Sequence, residues 1–170
     1  FSNIEYHVND GKSLEMVADN SVDFLFSFDS LVHADTDAIE AYLIELADKL
    51  TPDGVGFIHH SNVGSYLQPW RSRLPGKAGD RVVSLLNSRI NLHWRSQEMS
   101  AEQFEKSCRN AGLQCITQEL ITWGGGKYLV DCLSTFTKPT SRWARPTRRI
   151  QTPDFIVSEA MRVAAYAYRN

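Results

Sequence analysis

Three histidines and one aspartate are the residues of this sequence best suited to proton transfer. Asp29 directly follows the apolar run Val22–Phe28, His33 lies a few residues later, and His59-His60 ends a second apolar run. An imidazole with an ordinary pKa of about 6.5 can accept a hydroxyl proton near neutral pH. An acid that ends a buried run needs a partner or a chemical role. We expect His60 to be the general base, with His33 second and Asp29 a third catalytic candidate.

A second group of side chains is suited to binding an acidic or ring-shaped substrate. Arg71 and Arg95 lie in the stretch 61–100, close to Trp70 and Trp94. Guanidinium groups bind phosphate and carboxylate in a forked geometry, and aromatic faces stack on rings. We therefore predict that both arginines contact substrate. A solvated charged loop is the alternative.

The elements that must position these residues form a βαβ unit. Val22–Phe28 and Val55–His59 are nearly continuous apolar runs, which is typical of strands in a parallel sheet covered on both faces. Between them, apolar residues at helical spacing predict a helix over Asp37–Leu50. The ends of neighbouring parallel strands lie at one edge of a sheet, so His33 can face the same cleft as one residue of the His59-His60 pair.

The sequence of the second half of the chain predicts one helix and two strands. Ser100 is suited to capping a helix that ends near Ala111. The runs Leu113–Trp123 and Tyr128–Thr137 predict two antiparallel strands, since few residues separate them.

Two other segments have a less regular pattern. Residues 61–100 are interpreted as an inserted cap or substrate loop with a short helix at Arg81–Ser88. Residues 138–170 form a basic tail whose helix, Pro153–Tyr168, is expected to pack on the domain.

Composition excludes several classes of function. The net charge of −2 gives no indication of nucleic-acid or membrane binding, and no apolar run reaches the roughly 20 residues of a membrane span. The three cysteines lack metal-ligand spacing and are expected to be reduced packing residues of a cytoplasmic protein. No metal site is predicted.

Four short motifs together resemble one enzyme family. Asn20–Ser27 (NSVDFLFS) resembles a D-N-S-F-D-V-V-x-S stretch, and Leu31-Val32-His33 resembles the L-H that follows it. Leu50–Val55 (LTPDGV) is similar to an L-K-P-G-G turn, and Ala111-Gly112-Leu113 to an A-G-F turn. In this order the motifs resemble the C-terminal part of class I S-adenosylmethionine-dependent methyltransferases. His59–Asn62 (HHSN) further resembles a small-molecule or sugar methyltransferase subgroup.

The resemblance implies an α/β fold: a truncated Rossmann-like methyltransferase sheet with helices on both faces and a C-terminal antiparallel strand pair. Residues 1–137 would be a partial methyltransferase domain, with Ile4–Val8 as the family's third strand and Val22–Phe28 as its fourth. The family's sheet order, 3-2-1-4-5-7-6, would leave that fourth strand as an exposed apolar edge, through which the chain can form a homo-oligomer.

The resemblance also implies a cofactor site for S-adenosylmethionine. Asn9, Asp10 and Gly11 would bind the adenine ring, while Ser27 and Phe28 would lie beside the methionine part. A tight turn is the alternative interpretation of the first three residues, and a core position that of Phe28.

The same resemblance assigns an acceptor-binding role to His59 and Asn62, beside the two arginines. One feature of the family is missing: its Gly-rich cofactor loop has no counterpart, since the only glycine run, Gly124–Gly126, lies in a late hairpin.

The implied function is methyl transfer to a hydroxyl, or to an amine, of a small polar acceptor such as a sugar or nucleotide sugar. Without the cofactor loop, this chain alone is expected to be an incomplete and inactive form. One alternative is a non-catalytic remnant that acts in assembly or partner binding. Another is a Rossmann-like hydrolase using Asp29 and His60, against which the absence of a G-x-S-x-G elbow argues.

Overall fold

A single five-stranded sheet organises the residues described by the computed structural model, which are 3–74, 76–87 and 94–167. The strands are β1 (Val22–Ser27), β2 (Leu50–Ser61), β3 (Gln114–Ile121), β4 (Asp131–Thr137) and β5 (Arg148–Thr152). The helices are α1 (Thr36–Lys49), α2 (Gly64–Arg73), α3 (Lys77–Asn87), α4 (Ala101–Asn110) and α5 (Phe155–Ala167).

The strand order is β1-β2-β4-β3-β5. β1 and β2 are parallel, β2 and β4 antiparallel, β4 and β3 antiparallel, and β3 and β5 parallel. The first four strands reproduce the 4-5-7-6 part of the order implied by the sequence motifs. The predicted fold class, an α/β partial Rossmann-like sheet closed by an antiparallel strand pair, is confirmed.

One face of the sheet, hereafter the covered face, packs against α1 and α4. Alternating side chains of β2 and β4 meet apolar side chains of the two helices there. The Ser100 hydroxyl accepts the Gln103 N–H at 3.1 Å, which fixes the start of α4 as predicted. The core of this face consists chiefly of Ile39, Leu43, Leu46, Ile58, Phe104 and Phe136.

The opposite face, hereafter the open face, is only partly covered. α5 touches it through Phe155, whose ring lies 5.4 Å from that of Trp123, and no α5 residue is buried. Phe24 and Phe26 of β1 are 62% and 63% exposed. Among the described residues β1 pairs with β2 alone, so the predicted exposed apolar edge is confirmed.

Several expectations differ from the structure. Ile4–Val8 forms no strand, because its backbone has no neighbouring strand to pair with, and Val8 is 98% exposed. The described part of the stretch 61–100 contains two helices, α2 and α3, which share a small apolar cluster around Val63 and Leu67. Nothing in the sequence pattern predicts β5.

The four helices predicted from the sequence overlap α1, α3, α4 and α5. Ser88 and Tyr168, the predicted last residues of two helices, lie outside the described residues. Within the described part of the chain, no helix combines the length and apolar character that a membrane crossing requires.

Gly56 of β2 offers a test of this packing. It lies directly opposite Phe136 of β4, and a Cβ atom at position 56 would overlap the buried Phe136 ring. We predict that Gly56→Ala lowers the free energy of unfolding by about 1–3 kcal/mol, because the ring must move within a packed core. Gly124→Ala is the matched control, since its Cβ would meet open space. Equal effects of the two changes on urea unfolding would contradict the Gly56–Phe136 packing.

Candidate functional site

Polar side chains gather where β1 and β2 end and β4 begins. The parallel pairing of β1 with β2 puts their carboxyl ends at one edge, and antiparallel β4 starts there, with Ser61 opposite Asp131. This edge, hereafter the strand-end rim, consists of residues 27–33 and 94–96 together with His59 and Asp131.

His59 points from β2 to the open face and is completely buried. Its Nδ1 accepts the backbone N–H of Asp29 at 3.2 Å, so in the neutral ring the proton is on Nε2. Nε2 lies 3.7 Å from the Asp131 carboxylate, an ion-pair distance beyond hydrogen-bond range. The rings of Phe28 and Trp123 pack around it, at 5.0 and 5.7 Å.

Asp131 is a fully buried carboxylate with three donors. Arg95 binds it in a bidentate fork, Nε to Oδ1 at 2.6 Å and Nη2 to Oδ2 at 2.8 Å, and the Trp123 indole N–H donates to Oδ2 at 2.6 Å. Burial raises the pKa of Asp131, but His59 and Arg95 together outweigh burial and hold that pKa below its usual value. Asp131 is not among the predicted site residues, although an acid inside the apolar run Leu129–Leu133 is a usable signal.

Three residues predicted to bind substrate are instead hydrogen-bonded to other residues of the chain. Arg95 holds Asp131, contrary to the expectation that it binds a substrate anion. Asn62 is buried, with its amide donating to Leu129 O at 2.7 Å and its oxygen accepting from Ala101 N at 2.9 Å. Arg71, which is partly buried, donates to the Gln97 side chain at 2.9 Å.

His60 lies in the core of the covered face, contrary to the expectation that it faces the cleft. Its ring stacks on Phe104 with centroids 4.3 Å apart. Nδ1 and the Ser61 carbonyl are 2.8 Å apart, and Nε2 and the Ser134 hydroxyl are also 2.8 Å apart. Burial lowers the pKa of His60 to about 4. This histidine is a buried, neutral structural residue that no acceptor reaches.

His33, by contrast, is exposed at the rim. Its Nδ1 lies 2.8 Å from the carbonyl oxygen of Trp94. A carbonyl can only accept, so Nδ1 carries the proton and the neutral ring has its lone pair on Nε2. Trp94 has a φ of 64°, in the left-handed region.

The Asn9-Asp10-Gly11 segment forms a tight turn. The Asp10 carboxylate accepts the backbone N–H groups of Lys12 at 2.9 Å and Ser13 at 2.8 Å, and these bonds lower its pKa. Gly11 adopts a φ of 84°, which favours glycine. The Asn9 amide donates to Ser13 O at 2.9 Å and to the Tyr42 hydroxyl at 3.2 Å.

An apolar cavity of about 200 Å³ joins this turn to the rim. Its polar lining includes Asn9, Ser27 and Ser30. The Ser27 hydroxyl oxygen is buried and has no hydrogen-bond partner among the described residues. The other lining residues are Leu14, Leu25, Leu31, Tyr42, Leu46 and Ile58.

A larger depression, of about 590 Å³, lies between α2 and the start of α4. Its lining includes no residue of the rim, and its arginine, Arg149, is bound to Gln118 and Glu105. The small cavity is therefore the better candidate site.

The buried His60 predicts a specific pH dependence of stability. Because its pKa falls from about 6.5 in the unfolded chain to about 4 in the folded one, the unfolded state takes up the extra proton and stability is lost as pH falls from 6.5 to 4. His60→Asn should flatten this slope by about one proton. His7→Asn, at an exposed histidine, is the control. Urea unfolding between pH 7 and 4.5 measures both, and an unchanged slope in His60→Asn would contradict the prediction.

No known protein family and no curated protein matches the sequence. Three solved structures resemble the chain in fold. One is PH0226 from Pyrococcus horikoshii OT3, with 17% identity, a TM-score of 0.49, and coverage of 80% of this chain and 60% of that one.

The second is the complex of the Haloferax volcanii Trm112 methyltransferase activator with a protein assigned as a methyltransferase, with 17% identity, a TM-score of 0.46, and 77% and 60% coverage. The third is a possible exported protein from Bordetella parapertussis, with 14% identity, a TM-score of 0.48, and 77% and 43% coverage. The chain thus spans 43% to 60% of the length of these proteins. At these scores none of the three assigns a family or a function.

Proposed function

We propose that this chain is part of an S-adenosylmethionine-dependent methyltransferase and that the cavity beside Ser27 holds the nucleoside end of the cofactor. The observation that carries the proposal is the Ser27 hydroxyl, a buried polar atom without a described partner in the lining of an apolar cavity. A buried hydroxyl without a partner costs free energy, and a ligand that bonds it recovers that cost. The sequence motifs around this strand end support the same assignment.

The cavity fits only part of such a cofactor. Ligand pockets usually enclose about 300–1,000 Å³, and this cavity encloses about 200 Å³. Its apolar walls suit a flat ring, and Ser27 with Asn9 can bond the polar atoms of that ring. Backbone N–H groups of a Gly-rich loop, which would hold the methionine carboxylate, have no counterpart in the sequence. When bound, the cofactor supplies an electrophilic methyl group on sulfur.

His33 is the residue best placed to act as general base. Its Nδ1–H is held by the Trp94 carbonyl, which leaves the Nε2 lone pair to receive the proton of an acceptor hydroxyl. His33 replaces His60 in this role, because His60 is buried and bonded at both ring nitrogens. The exposed side chains of Asp29 and Ser30 beside it would suit a small hydroxylated acceptor such as a sugar.

The Ser27 hydroxyl is the first test. We expect S-adenosylhomocysteine to bind the wild-type chain with a dissociation constant between about 10 µM and 1 mM, as measured by calorimetry. Ser27→Ala should weaken this binding about fivefold to tenfold, the value of one hydrogen bond. Without ligand the same variant should unfold at an equal or higher urea concentration, because it removes an unpaired buried hydroxyl.

Ser84→Ala, on the exposed part of α3, is the matched control and should change neither property. Absence of binding by the folded wild-type chain at millimolar ligand, or equal affinity in Ser27→Ala, would refute the cofactor assignment.

A second candidate function, assembly, is favoured by the exposed phenylalanines of β1. Phe24 and Phe26 of β1, with Phe28 directly after it, project from one face of an edge strand whose outer backbone groups have no partner among the described residues. Such an edge is suited to pairing with another strand.

If the chain associates through this edge, Phe26→Lys should convert an oligomer to a monomer in sedimentation velocity at tens of micromolar protein. A lysine on the edge adds charge to the surface that must be buried. Ile44→Lys, at a residue of α1 that is 60% exposed, should leave the oligomer intact. A monomeric wild-type chain would rule out the assembly function through β1.

A further inference from the structure

Both loops of the strand-end rim approach a single buried carboxylate, that of Asp131. Arg95 is fixed on Asp131 by two hydrogen bonds, and it directly follows Trp94, whose carbonyl receives the His33 ring N–H. On the other side, Asp131 lies 3.7 Å from His59 Nε2, and His59 Nδ1 accepts the N–H of Asp29.

We infer that Asp131 is a positioning residue that sets the orientation and tautomer of His33 through Arg95 and the Trp94 carbonyl. Its value for catalysis rests on the proposed function, in which His33 is the base. The positioning itself is a property of the folded chain and can be measured without cofactor.

The backbone conformation of the two loops supports the inference. Trp94 and Asp29 both adopt positive φ values, 64° and 59°, which are uncommon for residues other than glycine and are tolerated better by aspartate than by tryptophan. Such conformations persist where surrounding contacts hold them. Here the contacts are the Arg95 fork on Asp131 beside Trp94, and the bond from the Asp29 N–H to the His59 ring, whose Nε2 lies 3.7 Å from Asp131.

Further bonds tie the 94–96 segment to the rim. The Ser96 N–H donates to Val32 O at 3.0 Å, and the buried Ser61 hydroxyl donates to Ser96 O at 2.6 Å. Trp94 is 89% exposed, so its side chain contributes little packing to hold its own carbonyl. The carbonyl position therefore depends on the neighbouring residues, among which Arg95 makes a charged, bidentate contact with Asp131.

The consequence for His33 is chemical. An imidazole whose Nδ1–H is bonded to a carbonyl has its lone pair on Nε2, and loss of that acceptor allows the other tautomer. Only in the Nδ1–H tautomer does the ring donate to the Trp94 carbonyl and at the same time offer the Nε2 lone pair to a proton. The distant carboxylate thus determines which nitrogen of His33 can accept a proton.

Two-bond ¹H–¹⁵N correlation spectra of ¹⁵N-histidine-labelled protein, recorded where His33 is neutral, test the inference. The His33 signals are assigned from a His33→Gln spectrum. The wild-type chain should show His33 almost entirely as the Nδ1–H tautomer. Arg95→Lys, which loses the fork, and Asp131→Asn, which loses the charge, should each shift His33 towards the Nε2–H tautomer.

Arg142→Lys and Asp53→Asn are the matched controls, because these residues form a surface arginine–aspartate pair and should leave His33 unchanged. Arg95→Lys keeps the test decisive if Asp131→Asn does not fold. Persistence of the Nδ1–H tautomer in folded Arg95→Lys would overturn the inference. Loss of that tautomer in a chain that fails to bind S-adenosylhomocysteine would support the positioning role and refute only the proposed function.

Discussion

Burial of the Asp131 carboxylate is the interaction on which the strand-end rim depends. A charge removed from water is tolerated only when it is paired and hydrogen-bonded, and here three donors from Arg95 and Trp123 surround it. These donors come from two segments far apart in the sequence. Removing one partner of such a buried pair typically costs about 3–5 kcal/mol, whereas replacing the whole pair with apolar groups can be neutral. The buried Arg95–Asp131 pair is therefore better evidence that the rim has a fixed geometry than that the pair raises the free energy of unfolding.

Strand alternation explains why two adjacent histidines have different environments. His59 points to the open face, towards Asp131, and His60 points to the covered face, against Phe104. The first lies beside the Arg95–Asp131 ion pair at the rim, and the second is kept neutral by burial, with its pKa lowered to about 4. A residue type suited to catalysis thus occurs once in a structural role in the core and once as a support for a loop.

Sequence patterns predicted the elements whose side chains make one face apolar: β1, α1, β2, α4 and the β3–β4 pair. They could not predict β5 (Arg148–Thr152), which is mostly polar and adds to the sheet through its backbone, or the unpaired state of Ile4–Val8. A strand-like composition becomes a strand only beside a partner. Asp131 is marked in the sequence only as an acid inside an apolar run, and its role comes from Arg95, which is 36 residues away in the sequence.

The loop from Phe28 to His33 links the two halves of the candidate site. Ser30 and Leu31 line the small cavity, and His33 ends the same loop at the rim. The loop is held at Asp29 by His59 and at Val32 by the Ser96 N–H, so contacts outside the cavity determine the position of residues inside it. The cavity lining and the His33 ring are thus joined by one loop of six residues, whose position is set by contacts on both sides of it.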